Sequence, residues 1–324
     1  MKINNWQPNI SLQVLKARAE LLSLARVFFQ KINCLEVETP TLSGSTTSDP
    51  NIESFSTRQH QQTYYLHTSP EFPMKRLLAA GSGAIYQICK VFRQGEAGRY
   101  HNPEFTMIEW YQPGLNYHAL MQQVDEFVAY LLNDVFSLKN TIHISYKDAF
   151  EKYVQVNPFV ATNNELLEVL KKHKIEFYNN EQSLDKDALL DLIISQLIQT
   201  QLPANTPVFI FDYPASQAAL AKIRQQDSYQ VAERFELFIN GVELANGYQE
   251  LLDASEQQQR FEAENKKRTT AGLKTIPIDQ HLIAALASGI PMVSGVAMGF
   301  DRLLMLAMQK ESINEVIAFT IDKA

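Results

Sequence analysis

The sequence predicts an α+β domain built on a mostly antiparallel sheet flanked by helices. Three segments carry that expectation. AIYQICKVFR (84–93) and EFTMIEWY (104–111) are strand-like runs joined by a loop with Gly95, Gly98 and Pro103 as breakers. RFELFINGVELANGYQEL (234–251) is a hairpin around Asn240-Gly241, the pair a type I′ turn favours. SGVAMGFDRLLMLAM (294–308) is a glycine-bearing strand that runs into a helix.

The remaining elements follow in order. Ser11 caps a helix over 12–32, with Leu12, Leu15, Ala19, Leu22 and Phe29 as its apolar stripe. LEVETP is a strand stopped by Pro40, and SGSTTSDPN (43–51) is a polar loop. QTYYLHTSPEF (62–72) is a strand entering a turn at Ser69-Pro70, and MKRLLAAG is a short helix closed by Gly81. Residues 117–136 form a second amphipathic helix, and 141–200 are mostly helical. PVFIFDYP (207–214) is a buried strand, and 253–270 form a charged helix. A second Asn-Gly, at 246–247, reads as a turn that breaks the strand parity between Glu243 and Glu250.

Composition narrows the function classes. The 324 residues are 45% hydrophobic and 20% charged, an ordinary globular balance. A net charge of −7 argues against a broad nucleic-acid surface, which needs lysine and arginine to neutralise phosphates. Cys34 and Cys89 lie in unrelated contexts, so neither a zinc site nor a disulfide framework is suggested. No apolar stretch is long enough to span a bilayer, and the N-terminus has no apolar signal region. The expectation is a cytoplasmic protein with no membrane contact.

Chemistry can sit on each of the three diagnostic segments. On the 104–111 strand, Phe105, Met107, Glu109 and Tyr111 share one face. An arginine at a strand end, Arg93, suits bidentate clamping of a phosphate, and Glu109 suits an amine. Cross-strand ion pairs on a wet sheet face account for the same charges, and spacing alone leaves both open. Glu243 and Glu250 fit a Mg²⁺ bound with substrate phosphates, or equally two solvated glutamates. Gly295 and Gly299 allow close ligand approach ahead of Asp301 and Arg302, or serve packing alone.

Taken together, the segments resemble the catalytic domain of a class II aminoacyl-tRNA synthetase. LEVETP resembles its motif 1, VFRQGEAGRYHNPEFTMIEWY its motif 2 and GVAMGFDRLLML its motif 3. HTSPEFPMKRLL, HNPEFTMIEWY and ERFELFINGVELANGYQEL resemble the lysyl members. Two departures point to a subfamily. The motif 1 helix begins near residue 12, which leaves no room for an N-terminal anticodon-reading OB-fold, and Ala297 stands where lysyl enzymes have glycine. Both match the truncated paralogs, the elongation factor P–(R)-β-lysine ligases.

The resemblance implies one catalytic domain over 1–324, using ATP and Mg²⁺, with β-lysine and elongation factor P as partners and a homodimer as assembly. It implies no anticodon reading. Arg93 and Arg302 match the catalytic arginines. Gln94, Gly95, Asn102, Glu243, Leu244 and Gly299 match nucleotide contacts. Ser69, Pro70, Glu71, Glu109, Tyr111, Asn246, Tyr248, Glu250 and Ala297 match the lysine pocket. Glu243 and Glu250 match metal carboxylates. The motif 2 pattern has glutamate where this chain has Gly95, with Glu96 next door, so either Glu96 or backbone takes that role. Two rivals stay in view: a lysyl-tRNA synthetase module that charges tRNA, and a paralog that senses amino acid or nucleotide without reacting them.

Overall fold

A computed structural model describes residues 6–175 and 184–324, so part of the 141–200 stretch expected to be helical lies outside the described residues. The chain divides into two compact units: residues up to Phe136 together with those from Glu250 onward, and Ser137–Gln249.

The first unit opens with α1 (Leu12–Lys31), whose Val14 N–H donates to Ser11 Oγ at 3.4 Å. Next come β1 (Leu35–Glu36), β2 (Leu42–Ser43), β3 (Ser56–Gln59), β4 (Gln62–Leu66), α2 (Glu71–Ala79), β5 (Ile85–Phe92), β6 (Glu104–Pro113) and α3 (Tyr117–Leu132). The buried face of α1 is Val14, Leu21, Ala25, Phe28 and Phe29; of the expected stripe Phe29 is buried and Leu22 half-buried, while Leu12, Leu15 and Ala19 are exposed. The helix carries two apolar stripes, and the aromatic pair at its end decides which one turns inward. Phe29 stacks on Tyr86 with ring centroids 4.1 Å apart and packs edge-on against Trp110 at 5.4 Å. Trp110 is fully buried and donates its Nε1–H to Gln123 Oε1 at 3.0 Å. Tyr86 and Trp110 are cross-strand partners on β5 and β6. They commit that face to the aromatic core, so Glu109 and Tyr111 point to the other side. The β3–β4 hairpin was not foreseen, because β3 is short, polar and wholly exposed.

The second unit holds β7 (Ile142–Ser145), α4 (Tyr146–Val154), α5 (Asn163–Lys172), α6 (Lys186–Ile193), a π-turn (Ile194–Ile198), α7 (Gln199–Gln201), β8 (Val208–Pro214), β9 (Ile223–Gln226), β10 (Tyr229–Ile239) and β11 (Val242–Gln249). Its strands run in the order β11-β10-β8-β7, with β9 also on β10. Only β7–β8 is parallel among these pairs. Asn240 (φ 54°) and Gly241 (φ 72°) form the expected left-handed turn. The expected turn at Asn246-Gly247 is absent. Both residues sit in unbroken strand opposite Glu236 and Phe235, and neither has positive φ. Parity breaks elsewhere: Ala245 opposes Leu237 while Glu243 opposes Phe238, which leaves Leu244 as a bulge.

The chain then returns to the first unit with α8 (Ala254–Thr270), α9 (Gln280–Ser288), β12 (Val293–Gly299) and α10 (Phe300–Ala307). There β1, β5, β6 and β12 lie side by side in that order, β1 parallel and the rest antiparallel. Arg268 of α8 is almost fully buried. It donates to the Lys274 and Asp49 carbonyls at 2.7 and 3.1 Å and pairs with Glu53 at 2.8 Å. Ser45, Thr46 and Ser48, buried in so polar a segment, have partners of their own: Ser45 donates to the Pro277 carbonyl at 2.5 Å, the Thr46 and Ser54 hydroxyls pair at 2.8 Å, and Ser48 donates to Glu264.

Gly241 tests the turn. A Cβ there would lie 2.9 Å from the Gln199 carbonyl oxygen in addition to straining a positive φ. Gly241→Ala is therefore expected to destabilise the protein by about 1–3 kcal/mol in urea denaturation, with Asn240→Gly nearly neutral.

Candidate active site

The β6–β12 register builds a floor. Glu109 opposes Ala297, Tyr111 opposes Gly295 and Met107 opposes Gly299. Directly opposed residues share a face, so these small residues clear space in front of Glu109 and Tyr111. Gly295 is required by close approach rather than by φ: a Cβ would strike the Tyr111 ring and lie 2.5 Å from Glu250 Oε1.

Glu109 is buried and accepts hydrogen bonds from Ser69 Oγ (2.6 Å) and the Tyr111 hydroxyl (2.7 Å). Ser69 in turn accepts the Glu71 N–H at 3.0 Å, and Pro70 caps α2. Burial, then the Glu71 charge, pushes the Glu109 carboxyl up to about 8 against the pull of its two hydroxyl donors. Glu250 is equally buried, held by its N–H on the Val293 carbonyl at 3.0 Å. Its carboxyl is raised by burial to about 7 despite the ammonium beside it. That ammonium belongs to Lys75, which sequence reasoning did not single out. Lys75 Nζ lies 2.7 Å from Glu71 Oε1 and 2.6 Å from Glu250 Oε2. The ammonium thus bridges the two carboxylates. Burial opposes the Lys75 charge, but Glu250 and Glu71 outweigh it and hold the ammonium above its ordinary range. The Glu71–Lys75 spacing of i, i+4 on one helix was the available signal.

A second group forms where the 94–103 loop meets α10. The Arg93 guanidinium lies over Phe105 at 5.2 Å and 3.7 Å from Glu96, and its Nε is buried without a hydrogen-bond partner. Gln94 is exposed and its N–H donates to the Glu53 carbonyl at 2.7 Å. Gly95 has φ 83°, a left-handed conformation that a glutamate adopts poorly. This explains why the acidic residue stands at 96. Asn102 spends its amide on backbone, donating to Glu104 O (2.6 Å) and accepting from Ile321 N (3.3 Å). Arg302 donates to the Tyr100 carbonyl at 3.3 Å and sits 2.8 Å from His101 Nε2, with Gly299 capping its helix.

The second unit carries Glu243, Asn246 and Tyr248 on one face of β11, with Leu244 at the bulge. Tyr248 packs on that unit's core. Asn246 donates to Glu236 Oε1 at 3.4 Å. Glu236, also missed in the sequence, pairs with Arg234 at 2.5 Å and accepts the Tyr213 hydroxyl at 2.7 Å. Burial first, then Glu243 in part, raises its carboxyl to about 6 against the Arg234 charge. Polar Arg234 and Glu236 alternating in an otherwise apolar strand were the sign that this face is not simple core.

The expected metal pair does not fit as a pair. Glu250 already faces an ammonium at 2.6 Å, the place a cation would take. Among the described residues, no group of three or more histidine, cysteine or acidic side chains is placed to hold an ion. The carboxylate that shares a strand face with Glu243 is Glu236.

Residues 5–323 match the model of the family described as tRNA synthetases class II (D, K and N), and the chain belongs to that family. The particular relatives are narrower. The chain is 45% identical to the protein named elongation factor P–(R)-β-lysine ligase of Avibacterium paragallinarum, over 100% of both chains. It is 47% identical to the protein of that name from Edwardsiella ictaluri, covering 99% of this chain and 98% of the relative. For the one from Haemophilus influenzae the identity is 44%, covering 99% of each.

The buried carboxylates set a pH signature. A carboxyl raised in the folded state binds an extra proton there. Its contribution to stability is full below about pH 4 and is lost as pH rises through about 8 for Glu109. Glu109→Gln removes that loss. The variant's denaturation midpoint is expected to gain on the wild type steadily from pH 5 to pH 8; a constant difference would show Glu109 ionised throughout.

Proposed function

We propose that this chain is an ATP-dependent ligase that activates (R)-β-lysine as its adenylate and joins it to a lysine side chain of elongation factor P. The observation that carries the proposal is the buried amine pocket, Glu109 with Ser69 and Tyr111 on one side and Glu71 with Glu250 on the other, in a family of ATP-dependent synthetases. Full-length relatives named for this reaction support it.

The chemistry follows from the side chains. A β-lysine carboxylate oxygen attacks the α-phosphorus of ATP, the bond to the β-phosphate bridge breaks, and pyrophosphate leaves. Arg93, with its unpartnered Nε, is assigned to the α-phosphate and the substrate carboxylate, and Arg302 to the triphosphate. Mg²⁺ would travel with the phosphates and neutralise their charge. Glu243 is its proposed protein contact, and Glu250 is assigned to the amine pocket instead. In the second half-reaction an amine of elongation factor P attacks the acyl carbon, releases AMP and loses a proton. No enzyme nucleophile is needed, so positioning and charge do the work.

A homodimer is proposed on the exposed apolar residues of α1 and the strands after it: Leu12, Leu15, Leu24 and Val27, with Leu35 and Leu42. No helix among the described residues is long and apolar enough to cross a membrane, which is compatible with work in the cytoplasm.

ATP–pyrophosphate exchange with β-lysine and α-lysine, followed by label transfer to elongation factor P or tRNA, tests the proposal. Transfer to tRNA alone would replace it by a lysyl-tRNA synthetase, and no exchange with either amino acid by a sensor. Ala297 opposes Glu109 on the pocket floor, so its methyl shapes the space where the α- and β-amines differ. Ala297→Gly is expected to shift relative exchange toward α-lysine by about 10- to 200-fold. An unchanged ratio would remove Ala297 from specificity.

A further inference from the structure

The amine pocket contains a cation of its own. Two carboxylates, Glu71 and Glu250, share one ammonium, that of Lys75, and a third, the buried Glu109, is held by the Ser69 and Tyr111 hydroxyls instead. Burial alone favours the protonated carboxyls of Glu109 and Glu250; with all three ionised, the state that two bound ammonium groups would favour, the formal sum is two negative charges. A diamino acid whose carboxylate lies with the phosphates presents two ammonium groups. Buried charge is tolerated only when paired, so the pocket lacks the charge that such a substrate brings. A further observation points the same way: Lys75 is only 2% exposed, so its charge is committed to Glu71 and Glu250.

We infer that Lys75 is a specificity-determining positioning residue: a resident counter-charge that holds Glu71 and Glu250 as oriented, ionised acceptors and leaves the pocket matched to a diammonium substrate. The inference rests on the amine-pocket assignment in the proposed function. It also divides the selection. Charge count rejects amino acids with one ammonium, while the Ala297 methyl acts on the position of the second amine. Lys75 touches no substrate in this scheme and acts through the two glutamates. Without it, Glu71 and Glu250 face each other as unbridged like charges, and they either swing apart or become neutral. Each outcome removes an acceptor for a substrate ammonium.

Binding of β-lysine by calorimetry, with ATP binding as control, tests this without turnover. Lys75→Ala is expected to weaken β-lysine binding by roughly 10- to 100-fold and to leave ATP binding nearly unchanged. The truncation leaves room for a small amine. Ethylammonium chloride is expected to restore most of the affinity, whereas n-propanol, or sodium chloride at equal ionic strength, does not. Equal rescue by the neutral alcohol would mean that Lys75 only fills space and would overturn the inference. Should the alanine variant not fold, Lys75→Met keeps the bulk without the charge, and wild-type β-lysine affinity in that variant overturns it as well. The wild type gives an independent measure: 3-aminohexanoate, which lacks the terminal amine, is expected to bind at least about 100-fold more weakly than β-lysine, and near-equal binding sinks the charge count. The ligase reading stands or falls separately. A wild type that binds β-lysine with this pattern yet transfers nothing to elongation factor P loses that reading and keeps Lys75. One that transfers normally with β-lysine affinity unaltered by Lys75→Met does the reverse.

Discussion

The pairing of β6 with β12 is the constraint on which the rest of the site depends. It sets Glu109 against Ala297 and Tyr111 against Gly295, and so decides which carboxylate is buried and how much room lies in front of it. The aromatic core behind the sheet makes this possible. Phe29, Tyr86 and Trp110 fill one face so completely that the other face tolerates charge. A buried carboxylate costs several kcal/mol unless it finds donors or a cation. Here Ser69, Tyr111 and Lys75 supply them, and all three are delivered by a single continuous stretch of packing: the turn before α2, the end of β6 and the first turns of α2.

The same logic explains the loop between β5 and β6. Its arginine does not reach Glu109 at all. Arg93 lies over Phe105 beside Glu96, with one nitrogen left unpaired, while the Gly95 conformation displaces the acidic residue by one position. The carboxylates and the guanidinium groups therefore separate along β6 by sign. Carboxylates gather at the Glu109 end, and guanidinium groups gather where the strand begins. A substrate with ammonium groups and a carboxylate is itself a dipole of that kind, and the strand supplies a ruler between the two ends.

Much of this was legible in the sequence, for reasons that can be named. Strands β5, β6, β8, β10 and β11 are long, apolar and punctuated by turn residues, and the Asn240-Gly241 turn is dictated by backbone geometry. What escaped was settled by tertiary packing. α1 offers two apolar stripes, and only the position of Phe28 and Phe29 in the core chooses between them. Asn246-Gly247 has the composition of a turn, yet cross-strand pairing with Glu236 and Phe235 holds it extended, and the parity break migrates to Leu244. Nothing in the sequence beyond its i, i+4 spacing from Glu71 marks Lys75, because periodicity records spacing and not what faces the helix. Glu236 was hidden similarly: its strand reads as core, and its partners Arg234, Tyr213 and Asn246 come from three strands.

These omissions share a cause that bears on function. The residues singled out in the sequence are those whose chemistry is expected to face a ligand. Lys75 and Glu236 are residues whose charge faces other charges of the protein. A pocket built from glutamates alone would be an unstable arrangement, since three adjacent buried carboxylates repel one another and neutralise by taking up protons. Such a pocket loses the anionic character for which it was selected. An internal cation changes that balance: the Lys75 ammonium approaches Glu71 and Glu250 from α2, while the missing side chain at Gly295 lets the Tyr111 ring and Glu250 Oε1 pack against the β12 backbone. The glycine and the lysine thus act on the same carboxylate, one by admitting it close to the backbone and the other by placing a charge beside it. Neither role is visible in a residue considered alone, and both follow once the register of β6 and β12 is fixed.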